Sequence, residues 1–353
     1  MVTEVVKINR DSMDAKLIQK AGRILQNGGL VAFPTETVYG LGANALDVDG
    51  AKKTYGVKGR PADNPLIVHI AHYDDLKEIA QNIAPVAEKL AKVFWPGPLT
   101  MIFEKRALVP LGTTGGLDTV AVRMPKDKIA LALIEAGGGY VSAPSANISG
   151  RPSPTLAEHV LEDLDGKIEM IVDGGAVDMG VESTILDMTV QPPMILRPGF
   201  ITAEMLEEVI GSVALNRERL EESDSKPKAP GMKYRHYAPK GSLSIIEGDL
   251  PMEVSAIQKL VKEKQKEGKR VAVIATDETV ALYPDGIVKN LGSRKEVAGI
   301  AGNLYRILRE LDQEEVEFIY SESIPQEGIG IAVMNRLEKA AGFKRISAET
   351  ILL

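Results

Sequence analysis

The sequence predicts an α/β protein in two parts joined by a linker. Short apolar runs alternate with stretches of helical spacing along most of the chain. That rhythm lapses at 212–241, where charged, polar and proline residues gather. At 353 residues the chain is also too long for one ordinary compact core. The expected division is an N-terminal region at 1–211, a linker at 212–241 and a smaller C-terminal domain at 242–353.

Residues 5–8 read as a strand. Residues 14–26 read as a helix, because Leu17, Ile18, Ala21, Ile24 and Leu25 recur at helical spacing and Gly28-Gly29 closes it. A second strand, 30–33, stops at Pro34. The hydroxyl- and glycine-rich loop 34–42 follows it, at the strand end where open α/β sheets bind ligands. A plain turn whose threonines satisfy backbone groups is the alternative for that loop. A short helix at 50–55 leads to Lys58-Gly59-Arg60-Pro61-Ala62-Asp63-Asn64-Pro65. These residues read as a basic loop feeding the strand 66–70, where Ile67 and His69 share one face. That loop suits an anionic ligand, or else is a solvated basic turn.

Helices are expected at 74–82 and 85–94, then a turn at 95–98 that holds the one tryptophan, then a strand at 99–103. Residues 119–123 alternate, with Thr119, Ala121 and Arg123 on one face. Arg123 must reach water at an edge or meet an anion, since burying it unpaired costs several kcal/mol, on the order given for buried ions. A helix at 129–136 and a strand at 140–143 lead to the loop 145–153, rich in hydroxyls and amides, a composition that can hold phosphate without a P-loop. Further strands fall at 168–172, 181–187 and 194–199, and a helix at 202–210. Inside the linker, Pro230-Gly231-Met232-Lys233-Tyr234-Arg235-His236-Tyr237-Ala238-Pro239 is aromatic and basic, either a lid over a nucleotide or a sticky spacer. From 242 onward, strand–helix–strand repeats imply a small parallel sheet of Rossmann-like layout, without the G-x-G-x-x-G of dinucleotide binding.

Composition narrows the function. The formal charge of -7 does not attract nucleic acid as a whole, so an RNA contact would need a local basic patch or a partner. The absence of cysteine excludes disulfides, thiolate zinc sites and cysteine nucleophiles, and fits a reducing cytoplasm. There is no signal-like N-terminus and no apolar run of the ~18 residues a membrane span needs, so a cytoplasmic location is expected. A Walker A loop, a nucleophile elbow and an H-E-x-x-H zinc motif are all missing. His69 and His72 lack a third ligand of matching spacing, so no protein-bound metal is expected. What remains is a set of cations (Lys58, Arg60, Arg123, Arg197), hydroxyls (Thr35, Thr37, Ser145, Ser153, Ser183), Asn64 and His69 at strand ends of one α/β region. Such a set holds a polyanion beside a small polar substrate and works by positioning and charge stabilisation.

These residues carry a family likeness. Pro34-Thr35-Glu36-Thr37-Val38-Tyr39-Gly40-Leu41, Lys58-Gly59-Arg60-Pro61 with Asn64-Pro65-Leu66, Pro96-Gly97-Pro98-Leu99-Thr100, Val122-Arg123-Met124-Pro125, Ser142-Ala143-Pro144-Ser145-Ala146-Asn147, Ser183-Thr184-Ile185 and Leu196-Arg197-Pro198-Gly199 resemble the YrdC-type family of L-threonylcarbamoyladenylate synthases. The segments 230–239 and 328–337 resemble the longer, two-domain form. The resemblance implies a YrdC-like twisted mixed sheet in 1–211 and a nucleotidyltransferase that makes threonylcarbamoyl-AMP and pyrophosphate from L-threonine, bicarbonate and ATP, with Mg²⁺ carried by the nucleotide. The product would pass to a separate tRNA threonylcarbamoyl transferase complex for threonylcarbamoyladenosine formation, with at most a weak tRNA contact by this chain. Lys58 and Arg60 would serve catalysis at the triphosphate. Asn64, Thr119, Ser145, Ser153, Arg197 and Tyr234 would complete the ATP site. Thr35 or Thr37, His69, Arg123, the Ala143 backbone and Ser183 would hold threonine. Two other readings stand beside this one: an RNA-binding module in tRNA or ribosome maturation, and a carbamoyl-phosphate-dependent adenylation. The second normally brings cysteine zinc fingers, which this chain lacks.

Overall fold

The computed structural model describes residues 2–216, 227–230 and 236–353. The chain falls into two compact units. Met1–Ser149, Ser153–Asp178 and Glu182–Tyr234 form the first; Gly150–Pro152, Met179–Val181 and Arg235–Leu353 form the second. No helix among the described residues is long and apolar enough to cross a membrane.

The first unit holds strands β1 (Glu4–Lys7), β2 (Val31–Phe33), β3 (Gly40–Asn44), β4 (Ile67–His69), β5 (Ala80–Gln81), β6 (Leu99–Lys105), β7 (Thr119–Arg123), β8 (Val141–Ser142), β9 (Met170–Asp173), β10 (Thr184–Asp187), β11 (Met194–Arg197) and β12 (Ala214–Leu215). Its helices are α1 (Ala15–Gln26), α2 (Val48–Lys58), α3 (Leu76–Ile79), α4 (Pro85–Phe94), α5 (Lys128–Ala136), α6 (Ala157–Leu164) and α7 (Ala203–Ile210). The strands make one mixed sheet in the order β1-β9-β2-β3-β8-β4-β7-β6-β10-β11-β12, with β5 pairing β6. This is the twisted mixed α/β sheet the sequence leads one to expect.

Alternation divides the sheet's two faces. Val68, Val122, Met101 and Leu186 are successive cross-strand partners. They bury their side chains in a core shared with Leu76, Ile79, Leu90 and Leu206 of α3, α4 and α7. Each such side chain contributes about 1.5–3 kcal/mol by leaving water. The residues between them point to the opposite face, where the polar residues gather.

Several local readings change, and the helix expected at 74–82 gives way to strand β5 after Ile79. The loop expected at 34–42 is partly strand: Gly40 and Gly42 lie in β3, paired with Phe33 and Val31 of β2. Gly42 is required there by close approach, since a Cβ would sit 2.9 Å from the ring of Phe33. The helix expected at 50–55 spans Val48–Lys58, and the Asp47 side chain caps its start by accepting from the Asp49 amide. Gly59 ends it with φ 59°, the left-handed conformation that glycine adopts most readily. Lys58 is therefore the last helical residue rather than part of the loop.

The second unit is a five-stranded sheet, parallel throughout. Its strands are β13 (Ser242–Glu247), β14 (Val271–Ala275), β15 (Ile287–Asn290), β16 (Phe318–Glu322) and β17 (Arg345–Ser347), in the order β15-β14-β16-β13-β17. Helices α8 (Leu250–Lys266), α9 (Val297–Gln313), α10 (Gly330–Ala340) and α11 (Ala348–Leu352) complete the Rossmann-like layout. Two buried carboxylates close the carboxyl ends of its strands. Glu322 accepts from Tyr283, Thr276 and Arg294, and Glu253 accepts from Ser323.

Candidate active site

A transverse row of side chains crosses the middle of the first sheet. His69 is the register partner of Arg123, Arg123 of Thr100, Thr100 of Ile185, and Ile185 of Arg197. Direct partners project from the same face. An imidazole, a guanidinium, a hydroxyl and a second guanidinium therefore stand in line. Beside them on that face Ile67, Ala121, Ile102 and Ile185 form an apolar floor with Ala229.

Arg123 is buried, at 4% exposure, on a strand flanked by β4 and β6. The solvated edge position is thus ruled out. Its Nε donates to the Gly97 carbonyl at 3.3 Å, Nη1 to the Thr37 hydroxyl at 3.0 Å and Nη2 to Glu36 at 2.6 Å. The other Glu36 oxygen accepts from the Lys126 amide at 3.0 Å. Three of the five guanidinium N–H groups are thus committed, leaving one on each terminal nitrogen. Thr35 closes its own loop: its hydroxyl donates to the Val38 carbonyl and accepts from the amides of Thr37 and Val38. It also lies 2.9 Å from the Thr37 hydroxyl, so the two threonines form one polar pair.

His69 is neutral. Burial first, and then the charge of Arg123, lower its pKa to about 3. Its Nδ1–H donates to the Ile67 carbonyl at 3.2 Å. The Ala143 amide donates to the same carbonyl at 3.0 Å, which brings the Ala143 backbone alongside His69.

The basic stretch is not a solvated turn, since Lys58 is 2% exposed and Arg60 8%. Lys58 Nζ donates to the carbonyls of Ser145 and Asn147, and the Ser149 amide donates to the Lys58 carbonyl at 2.8 Å. The end of α2 is thereby tied to the loop 145–149. Arg60 donates to the carbonyls of Asn64 and Pro65 at 3.2 and 2.9 Å. Asn64 is 1% exposed, and its side-chain oxygen accepts no hydrogen bond. A buried acceptor without a donor is rare and costly, and it marks a place where a ligand N–H or O–H would fit.

Ser145 is half-buried and bridges Gly40 through the backbone. Ser153 is fully buried and donates to Glu182 at 2.6 Å. Thr119 opens β7 on the same face as Arg123, about 13 Å away at ordinary strand rise. It is therefore the outlier of the set.

Arg197 donates from Nε and Nη2 to the Ser183 carbonyl at 3.1 and 3.0 Å, and from Nη2 to the Ser183 hydroxyl at 3.2 Å. Its Nη1 donates to the Pro230 carbonyl at 3.3 Å. Lys228 pairs with Asp187 at 3.1 Å, and Ala229 is wholly buried on the apolar floor. Linker residues 227–230 therefore lie over the site face. Tyr234 falls outside the described residues.

Sequence reasoning missed Glu36, Thr100 and Glu182. Glu36 lies between the two threonines that were singled out, and as the acid nearest them it was the readable counter-ion. Thr100 and Glu182 sit inside quoted or adjoining motifs, but only the folded chain brings them to Ser183 and Ser153.

Buried cations and hydroxyls on and beside one sheet face, with the open amide acceptor of Asn64 in an adjoining loop, mark this as an α/β protein with a buried cationic and polar cluster. Two family models match the chain: Sua5/YciO/YrdC, described as telomere recombination, over residues 23–199, and the threonylcarbamoyl-AMP synthase C-terminal domain over 201–342. A threonylcarbamoyl-AMP synthase of Pyrococcus abyssi is 49% identical over 337 residues, covering 96% of this chain and 97% of its own. One of Bacillus subtilis is 50% identical over 327 residues, covering 92% and 93%. The crystal structure of P. abyssi Sua5 complexed with L-threonine superimposes with a TM-score of 0.93 at 48% identity, covering 98% and 99%. The chain belongs to the Sua5/YciO/YrdC family, in its two-domain form.

Proposed function

We propose that this chain is an enzyme that makes threonylcarbamoyl-AMP and pyrophosphate from L-threonine, bicarbonate and ATP. The observation that carries this reading is the row from His69 through Arg123 and Thr100 to Ser183 and Arg197. It sets residues suited to an amino acid directly against residues suited to a nucleotide. Relatives about half identical over nearly the whole chain bear the name threonylcarbamoyl-AMP synthase, and the P. abyssi relative has been crystallised with L-threonine.

In this reading Arg123 pairs its two uncommitted N–H groups with the threonine carboxylate. Neutral His69, the Thr35–Thr37 pair, the Ala143 backbone and Ser183 surround the rest of the amino acid. The threonine amine takes up carbon dioxide or bicarbonate to give the N-carboxy compound. A carboxylate oxygen of that group attacks the α-phosphorus of ATP. The bond from the α-phosphorus to the bridging oxygen breaks, and pyrophosphate leaves with its electron pair. Lys58 and Arg60 offset the charge on the departing group. Asn64 offers its open oxygen to a nucleoside donor. Thr119, Ser145, Ser153 and Arg197 line the nucleotide side. Threonine is preferred to serine by contact with its methyl, worth ~1–3 kcal/mol.

The described residues contain no cluster of three acidic or histidine side chains fit to hold a metal. Mg²⁺ enters as part of the nucleotide substrate. Residues 1–211 are assigned the chemistry, 212–241 the linker with its lid segment and 242–353 a structural or regulatory part. The product passes, in the cytoplasm, to a tRNA threonylcarbamoyl transferase. A pyrophosphate-release assay with MgATP, omitting threonine and bicarbonate in turn, tests the reading. Release that requires both supports it; release indifferent to either overturns it.

A further inference from the structure

We infer that Thr100 is a positioning residue that sets the proton direction of Ser183, so that the Ser183 hydroxyl donates to the substrate carboxylate. The inference rests on the reading that Ser183 faces threonine. The two hydroxyl oxygens lie 2.7 Å apart, with Thr100 at 0% and Ser183 at 1% exposure. Either oxygen is able to donate in such a pair. Their surroundings and the bound carboxylate decide which one does.

Arg197 Nη2 lies 3.2 Å from the Ser183 hydroxyl oxygen, and a guanidinium only donates. One lone pair of Ser183 is therefore filled. Among the described residues, Thr100 has no acceptor for its own proton other than Ser183. Whichever hydroxyl donates within the pair, one buried proton is left without an acceptor, at a cost of about 1–3 kcal/mol. A carboxylate beside Ser183 removes that cost only when Thr100 donates to Ser183, so the bound substrate selects that arrangement. Ser183 accepts twice, from Thr100 and Arg197, and its own proton turns toward the remaining direction. Thr100 is the cross-strand partner of Arg123, so the Thr100–Ser183 pair lies on the guanidinium's face of the sheet. A carboxylate seated on Arg123 would thus receive a third, neutral donor backed by the Thr100 hydroxyl.

Thr100 does not touch substrate in this scheme, and its effect passes through Ser183. The test compares the full-length Thr100→Val, Thr100→Ser and Thr100→Ala enzymes by pyrophosphate release, titrating threonine and ATP separately. Thr100→Val keeps the shape and removes the hydroxyl. Its KM for threonine is expected to rise about tenfold, the scale of one lost hydrogen bond, with KM for ATP within about twofold of wild type. Thr100→Ser restores the wild-type threonine KM. If Thr100→Val does not fold, Thr100→Ala against Thr100→Ser gives the same comparison, because both lack the methyl and only one keeps the hydroxyl. An unchanged threonine KM without the hydroxyl, or equal rises for threonine and ATP, overturns the inference. Ser183→Ala separates it from the reading beneath: if that variant binds threonine normally, Ser183 does not face threonine. A threonine defect in Ser183→Ala with none in Thr100→Val refutes the role of Thr100 alone.

Discussion

The carboxylate of Glu36 lies 2.6 Å from the guanidinium of Arg123, with both side chains almost wholly buried. Removing one partner strands a charge in the sheet's interior. Glu36→Ala is expected to cost about 3–5 kcal/mol of stability, the scale for a broken buried pair. Urea denaturation checks it; a loss below about 1 kcal/mol, the range of a surface pair, would show that water reaches Arg123.

His69 titrates in the opposite sense from a histidine with an acidic partner. Its folded pKa, about 3, lies below the unfolded value of about 6.5. Between these values the unfolded chain binds the extra proton, so stability falls as pH drops from about 6.5 towards 3 and is independent of His69 above that window. NMR is expected to show the His69 ring still neutral at about pH 5. The variant His69→Asn should lose less stability on going from about pH 7 to 4 than wild type does.

Lys58 and Arg60 are held by main-chain carbonyls, which fixes where each charge sits. Lys58→Ala and Arg60→Ala are expected to lower kcat by about 10²–10³-fold, as for loss of a preorganised charge stabiliser. Each also leaves main-chain carbonyls without their donor, so a stability loss of about 1–3 kcal/mol is expected beside the larger loss of activity. A fall in activity that only follows the fall in folded fraction would make both residues structural.

Asn64 gives a prediction of a different kind. Its side-chain oxygen has no donor, so deleting it removes no internal hydrogen bond there. Asn64→Ala is expected to raise KM for ATP about tenfold, leave KM for threonine alone and cost little stability beyond its small cavity. Equal effects on both substrates would contradict a nucleotide-facing role.

Much of this architecture is legible in the residues. The alternation of Thr119, Ala121 and Arg123 gives their shared face, and Pro34 and Pro144 mark strand ends that open into site loops. What the residues alone do not reveal is the pairing across strands. Register makes Thr100 the neighbour of Arg123, and a hydroxyl inside an apolar strand gives no hint of that partner. Glycine misleads for a related reason. Gly40 and Gly42 read as loop, yet they are strand residues kept small by Ala143 and Phe33 packed against them. Lys58 reads as a loop cation because a glycine and a proline follow it closely, whereas the cap at Asp47 and the left-handed Gly59 make it a helix end.

The central claim is that one sheet face joins bicarbonate-derived carbon to threonine and to the α-phosphate of ATP. Incubation with radiolabelled bicarbonate, L-threonine and MgATP, followed by separation of the nucleotides, tests it most directly. The account predicts label in a new adenylate that also contains threonine, formed in step with pyrophosphate. Pyrophosphate released without label entering any nucleotide would contradict it.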